Sequence, residues 1–195
     1  MQLIQLTSPR RFTELPMPAN MSALPKPIIC YVGNIERRMD FSLLVEVAKH
    51  NPEMTFMMVG PVNEDNPELN AAKKIPNIRF TGPQPFDQIP AYLKYSDCSI
   101  IPFKINDLTQ CIYPLKINEY LAAGKAVVST PFSPDILSFS DVIEIAKDPA
   151  DFSESIKKSL SKNDTTEVRK RVERASGNDW QSRATEFLET IDAHL

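Results

Sequence analysis

The sequence predicts a three-layer α/β domain on a parallel sheet of about six strands. Three observations carry this expectation. Short, wholly apolar runs recur along the chain, helical stretches separate most of them, and one helix signal running from Pro to Gly is followed at once by another apolar run. Runs without polar alternation suit strands covered on both faces, as the helical crossovers of a parallel sheet require.

Taken in order, residues 1–26 show no sustained period. Pro9, Pro16, Pro18 and Pro25 punctuate a scatter of polar residues, so the segment reads as linker, with the domain proper at residues 27–195. Residues 28–32 give the first strand, closed by Gly33, and residues 41–50 the first crossover helix. Strands follow at 55–59 and 78–80, then a helix at 86–95 with Leu93 and Tyr95 turned partly inward, and a fourth strand at 98–102. Pro114 suits a first helical turn and Gly124 a left-handed stop, which makes the stretch between them a helix. Residues 126–129 and 142–145 complete the strands. After Pro149 the chain reads as helical to its end, with Phe152, Ile156 and Leu160 as a core-facing stripe.

Composition excludes several classes. At 42% apolar, 195 residues suffice for one domain with a substantial core, and no apolar run is long enough to span a bilayer. Three cysteines without CxxC spacing suggest neither a disulfide framework nor a zinc site. The N-terminus lacks a charged-then-apolar leader layout, so a soluble chain in a reducing cytoplasm is expected. A net charge of −3 argues against a nucleic-acid partner, and the basic cluster around Arg169 lies in a charge-mixed helical segment that reads as a solvated face.

The chemistry concentrates in residues 113–130. Lys116 and Glu119 lie three apart and share a face, the lysine in the first helical turn and the glutamate one turn deeper. A helix beginning at the rim of a sheet offers free N–H groups and a positive dipole end to a phosphate, and Lys116 adds a cation there. Glu119 is a two-oxygen acceptor suited to the paired hydroxyls of a ribose. The competing reading, a surface ion pair on an ordinary amphipathic helix, carries similar weight from this stretch alone.

The neighbouring residues add a resemblance. Asp97 to Ile101, then Pro102, Phe103, Lys104, Asn106, Leu108 and Thr109, leading to Pro114, Lys116, Glu119, Tyr120, Gly124 and Val127 to Thr130, closely resemble the C-terminal domain of GT-B glycosyltransferases. The likeness is to a bacterial subset, related to the large retaining family four, some members of which are assigned to teichuronic acid or other surface-polysaccharide synthesis. It extends to Ile28 to Gly33, Thr55 to Pro61, Asn77 to Gly82, and the final helix opened by Trp180.

The resemblance implies a Rossmann-like half of a GT-B fold that binds a nucleotide diphosphate sugar of UDP or GDP type as substrate, with no cofactor and no metal. On this likeness the donor site comprises Gly33, Arg37 (with Arg38 one residue on), Gly82, Lys104, Thr109, Pro114, Lys116 and Glu119, while the catalytic residues stay unassigned. Gly82 stands beside Gln84 on the loop that faces the base. Thr109 is equally suited to a capping role. The implied partner is an N-terminal acceptor-binding domain, lying before residue 1 or in a separate protein, and peripheral membrane association of the intact enzyme stays open.

Two departures stand out. Asn34 occupies a position where many relatives carry Arg, and Cys111, eight positions before Glu119, replaces the first glutamate of the retaining family's pair, which leaves sugar identity and stereochemical outcome open. Neither His50 nor His194 has the setting of a general base, and no Asp-x-Asp triplet occurs. The expectation is therefore a donor-binding half that binds and does not turn over alone. A free-standing subunit of a split transferase is the alternative. A sugar-nucleotide epimerase is the weaker third, since its carboxylates and histidine find no place here.

Overall fold

The computed structural model describes residue 12 and residues 14–176. Its centre is a six-stranded sheet of β1 (Ile28–Val32), β2 (Thr55–Val59), β3 (Ile78–Phe80), β4 (Cys98–Ile101), β5 (Val127–Ser129) and β6 (Glu144–Ile145). All neighbours pair parallel in the order β3-β2-β1-β4-β5-β6. β1 aligns with β2 from Ile28 opposite Thr55 to Val32 opposite Val59, and every residue of both strands is buried. That burial is the reason neither strand shows polar alternation.

Starting at β1, the chain winds outward to β3, returns to lay β4 against the free side of β1, and winds outward again. The switch point therefore lies between β1 and β4, where the loops leaving the two carboxyl ends diverge and open a crevice. The helices are α1 (Phe41–His50), α2 (Pro67–Ala72), α3 (Ile89–Tyr95), α4 (Asp107–Gln110), α5 (Leu115–Ala122), α6 (Pro134–Leu137), α7 (Pro149–Ser161) and α8 (Thr165–Ser176). α1 packs on α2 and α7, while α5 packs on α8. Right-handed crossovers place leftward and rightward connections on opposite faces, which gives the three layers.

Helix starts follow a repeated local rule. Asn66, Ser133 and Asp148 each accept a hydrogen bond from the backbone N–H three residues on, and each precedes a proline with no N–H to orphan. The helix expected at 86–95 begins with a 3-10 turn over Phe86–Gln88 before α3. The helix expected to run unbroken from Pro149 is interrupted after Ser161. Asp164 accepts from the N–H groups of Thr166 and Glu167, capping a new start for α8. The helix opened by Trp180 lies outside the described residues.

The described part of the linker-like segment is docked. The Leu15 carbonyl accepts from Lys94 Nζ (2.7 Å) and Tyr95 Oη (2.8 Å), both on α3, and Met21 is buried. Thr55 Oγ1 donates to the Pro25 carbonyl at 2.8 Å, so this passage enters β1 held against β2.

Candidate functional site

α5 positions the site because one of its faces is committed to the core. Ile117, Tyr120 and Leu121 are buried, and Tyr120 reaches the end of β1, where its hydroxyl accepts from Val32 N (2.8 Å) and donates to Val32 O (3.2 Å). With that face fixed, Lys116 and Glu119 fall on the flank turned to the carboxyl edge of the sheet. Pro114 stands at the position just before the helix, and among the described residues no side chain caps the N-terminus. The positive end of the helix dipole is thus left for another partner.

Lys116 lies directly over Gly33. A Cβ at position 33 would come within 2.4 Å of Lys116 Cε and 2.9 Å of Nζ and push the flexible end of that side chain aside, while the φ of +139° is what demands glycine. The Lys116 ammonium is 5.7 Å from the Tyr31 ring centroid and 6.0 Å from that of Phe103, and the Arg38 guanidinium lies 5.6 Å from the same Phe103 ring. Arg38 is paired with Glu36. Among the described residues Lys116 has no hydrogen-bond or ion-pair partner. Burial lowers its pKa below the ordinary lysine value, the nearby Arg38 lowers it further, and Glu119 opposes both. A cavity of about 180 Å³ opens here, lined by Arg38, Phe103, Tyr113, Pro114, Leu115 and Lys116 among others.

The adjoining strand ends are backbone-lined. Gly33 N–H donates to Val59 O (2.9 Å) and Gly60 N–H to Gly82 O (3.2 Å), tying the loops after β1, β2 and β3 together. Thr81 Oγ1 donates to Gly82 O, and Gln84 donates to Thr81 O, so this rim is a turn closed on itself.

The expected site residues separate into two groups. Gly33, Pro114 and Lys116 come together at the β1–α5 corner, and Glu119 lies one helical turn further on, outside the cavity lining but near enough to oppose the lowering of the Lys116 pKa. Arg37 is exposed and outside the cavity, and its neighbour Arg38 lines it instead. Lys104 turns its ammonium to Glu68 on α2 (3.0 Å), while its N–H donates to Arg38 O (2.8 Å). Thr109 is fully buried: its hydroxyl donates to Lys104 O (2.5 Å) and accepts from Asn106 N (3.1 Å), and Asn106 Oδ1 accepts from Thr109 N. This reciprocal cap shapes the loop and presents no hydroxyl to the cavity. Gly82 borders the β3 end with open space above its Cα.

Sequence reasoning missed Tyr31, Phe103 and Tyr120 as site residues. Their signal was present but ambiguous, since an aromatic in an apolar run reads first as core. A second cleft, of about 150 Å³, lies at the amino ends of β5 and β6, but its charges are largely satisfied within it. Lys158 pairs with Glu144 at 2.6 Å, and Arg171 donates to Asn163 Oδ1 at 2.6 Å.

Comparison with known proteins agrees with this fold. The family model described as glycosyl transferases group 1 matches residues 26–162. The chain belongs to that family. TuaH of Bacillus subtilis (strain 168), named as a teichuronic acid biosynthesis glycosyltransferase, is 32% identical over 158 residues, covering 78% of this chain and 40% of TuaH. Among solved structures, Anabaena HepE, crystallised with UDP-glucose, superposes with a TM-score of 0.74 at 13% identity, over 96% of this chain and 54% of HepE. Sucrose-phosphate synthase of Thermosynechococcus elongatus gives 0.65 at 16% identity, over 94% and 51% respectively. The fold is thus the Rossmann-like α/β unit found in GT-B glycosyltransferases, and the chain spans about half the length of these relatives.

Proposed function

We propose that this group 1 chain is the donor-binding half of a glycosyltransferase, and that it holds a nucleotide diphosphate sugar of UDP or GDP type at the β1–α5 corner. The observation that carries this reading is Lys116: a largely buried cation, without a partner among the described residues, crossing Gly33 beside Arg38 at an uncapped helix start. Burying a cation so is unfavourable unless an anion arrives, and perturbed groups of this kind mark functional sites. HepE, with UDP-glucose in its crystal, lends support at the level of the fold.

In this reading the diphosphate lies over Gly33 against the α5 N-terminus, where Lys116 and Arg38 stabilise the charge that develops on it as the sugar departs. Glu119, one turn deeper, accepts from the ribose hydroxyls. The loop after β3, with Gly82 and Gln84, borders the base. A second half of the enzyme supplies the acceptor, a surface glycan or its lipid-linked precursor, and closes the cleft. A cytoplasmic location belongs to the same reading, in keeping with free thiols at Cys30, Cys98 and Cys111.

Calorimetric titration with UDP, GDP and dTDP tests the proposal. One nucleotide is expected to bind saturably, with Lys116→Ala and Glu119→Ala each weakening it by roughly tenfold or more, as loss of a charge-assisted contact implies. A folded chain that binds none of the three, or binds equally well without Lys116 and Glu119, would sink the reading.

A further inference from the structure

We infer that Phe103 is a positioning residue of this site, its ring the floor that holds Arg38 and Lys116 side by side to receive a diphosphate. The inference rests on the donor-binding reading and adds the group that organises its cations. Two like charges brought together repel, and a protein ordinarily relieves this with a carboxylate between them. Glu36 pairs with Arg38, but the contact shared by both cations is aromatic: Phe103 lies 5.6 Å from the Arg38 guanidinium carbon and 6.0 Å from Lys116 Nζ. An aromatic face carries negative quadrupolar charge and attracts a cation without consuming its N–H donors. An interposed carboxylate would occupy those donors and repel the incoming anion.

The ring is held firmly enough to act this way. Phe103 is 3% exposed, meets Tyr31 edge-on at 6.2 Å, and packs on Phe132 at 5.0 Å. Its carbonyl accepts from Thr130 Oγ1 at 2.6 Å. A bridge between Met39 and Phe103, and the Lys104 N–H bonded to Arg38 O, stitch the loop that carries the ring to the loop that carries Arg38. The two strands flanking the switch point thereby set the spacing of the cations together.

The test titrates UDP and inorganic pyrophosphate into wild type, Phe103→Leu and Phe103→Tyr. Phe103→Leu is expected to weaken both ligands roughly tenfold, and Phe103→Tyr, which keeps the ring face, to stay within about threefold of wild type. In a Lys116→Met background the leucine penalty should shrink markedly, because much of it acts through that ammonium. An unchanged affinity in Phe103→Leu, or the same penalty with and without Lys116, would overturn the role. Should Phe103→Leu fail to fold, Phe103→Met, which keeps the volume without the ring, decides the same comparison. If wild type binds neither ligand, nor GDP nor dTDP, the donor-binding reading itself falls, an outcome distinct from wild-type binding that is indifferent to position 103.

Discussion

Gly60 and Gly82 are each followed by proline at the end of a strand, and in the sequence they look alike. Their reasons differ. At Gly60 a Cβ would lie 2.2 Å from the Gly33 carbonyl oxygen, backbone that cannot swing aside, with φ at +138°. At Gly82, φ is +69° and nothing among the described residues lies within 4 Å of the added Cβ. Gly60→Ala is therefore expected to cost more than about 3 kcal/mol, and Gly82→Ala about 1 kcal/mol, the penalty of the left-handed conformation alone. Urea unfolding of the two variants checks this, and equal losses would show that the close approach at Gly33 is not what demands glycine. The same limit applies to Arg37 and Arg38. Adjacent arginines are indistinguishable until the path of the loop is known, and here the Lys104 to Arg38 backbone bond and the Phe103 ring select the second. Lys116 and Glu119, by contrast, were legible from helical spacing, because a shared face is a property of the period and needs no tertiary information.

At the scale of elements, the buried strands β1 and β2 and helix α1 match the sequence expectation, since continuous apolar runs and a long amphipathic stretch are strong local signals. The short helices α2, α4 and α6 escaped notice. They run 4 to 6 residues, too few for a period to show, and only a capping side chain with a following proline at α2 and α6 marks them. Wholly invisible was the joint between α5 and β1. Tyr120 spends its hydroxyl on both polar groups of Val32, across 88 residues of chain, and so fixes the height of Lys116 over Gly33. Tyr120→Phe leaves that buried N–H and carbonyl without the tyrosine, so it should cost about 1–3 kcal/mol in stability, with the urea m-value unchanged. UDP affinity should fall at the same time, because the helix start is no longer anchored. A variant that loses stability yet binds as before would separate the joint from the site.

Across the whole molecule, the fold class already implied where a ligand would bind, because a doubly wound parallel sheet has one crevice at its switch point and β1 and β4 flank it. It did not reveal how the opposite side of the domain is held. There Lys125, following the α5 stop, donates to the carbonyls of Lys94 (2.9 Å) and Ser96 (2.7 Å) and satisfies the C-terminal end of α3. Burial pulls its pKa from 10.5 down to about 8, against the opposing pull of Asp97. Between those values the unfolded chain binds the extra proton, so folding stability rises with pH as this burden is lifted. Cys30 and Cys98 act in reverse: burial raises each thiol from 9.0 to about 12, so above pH 9 the unfolded chain loses protons that the fold retains, and stability falls. Tyr31 and Tyr120, raised by burial above 10.0, extend that decline. The two trends leave a window from about pH 8 to 9 in which stability climbs by roughly 0.3 kcal/mol before it drops. Urea midpoints measured at unit steps from pH 7 to 10 should show the maximum in wild type. Lys125→Met should lose much of the rise and keep the fall, with Lys116, whose pKa burial also lowers, supplying a remainder of the same sign; an undiminished rise in that variant would mean that Lys125 is not its source.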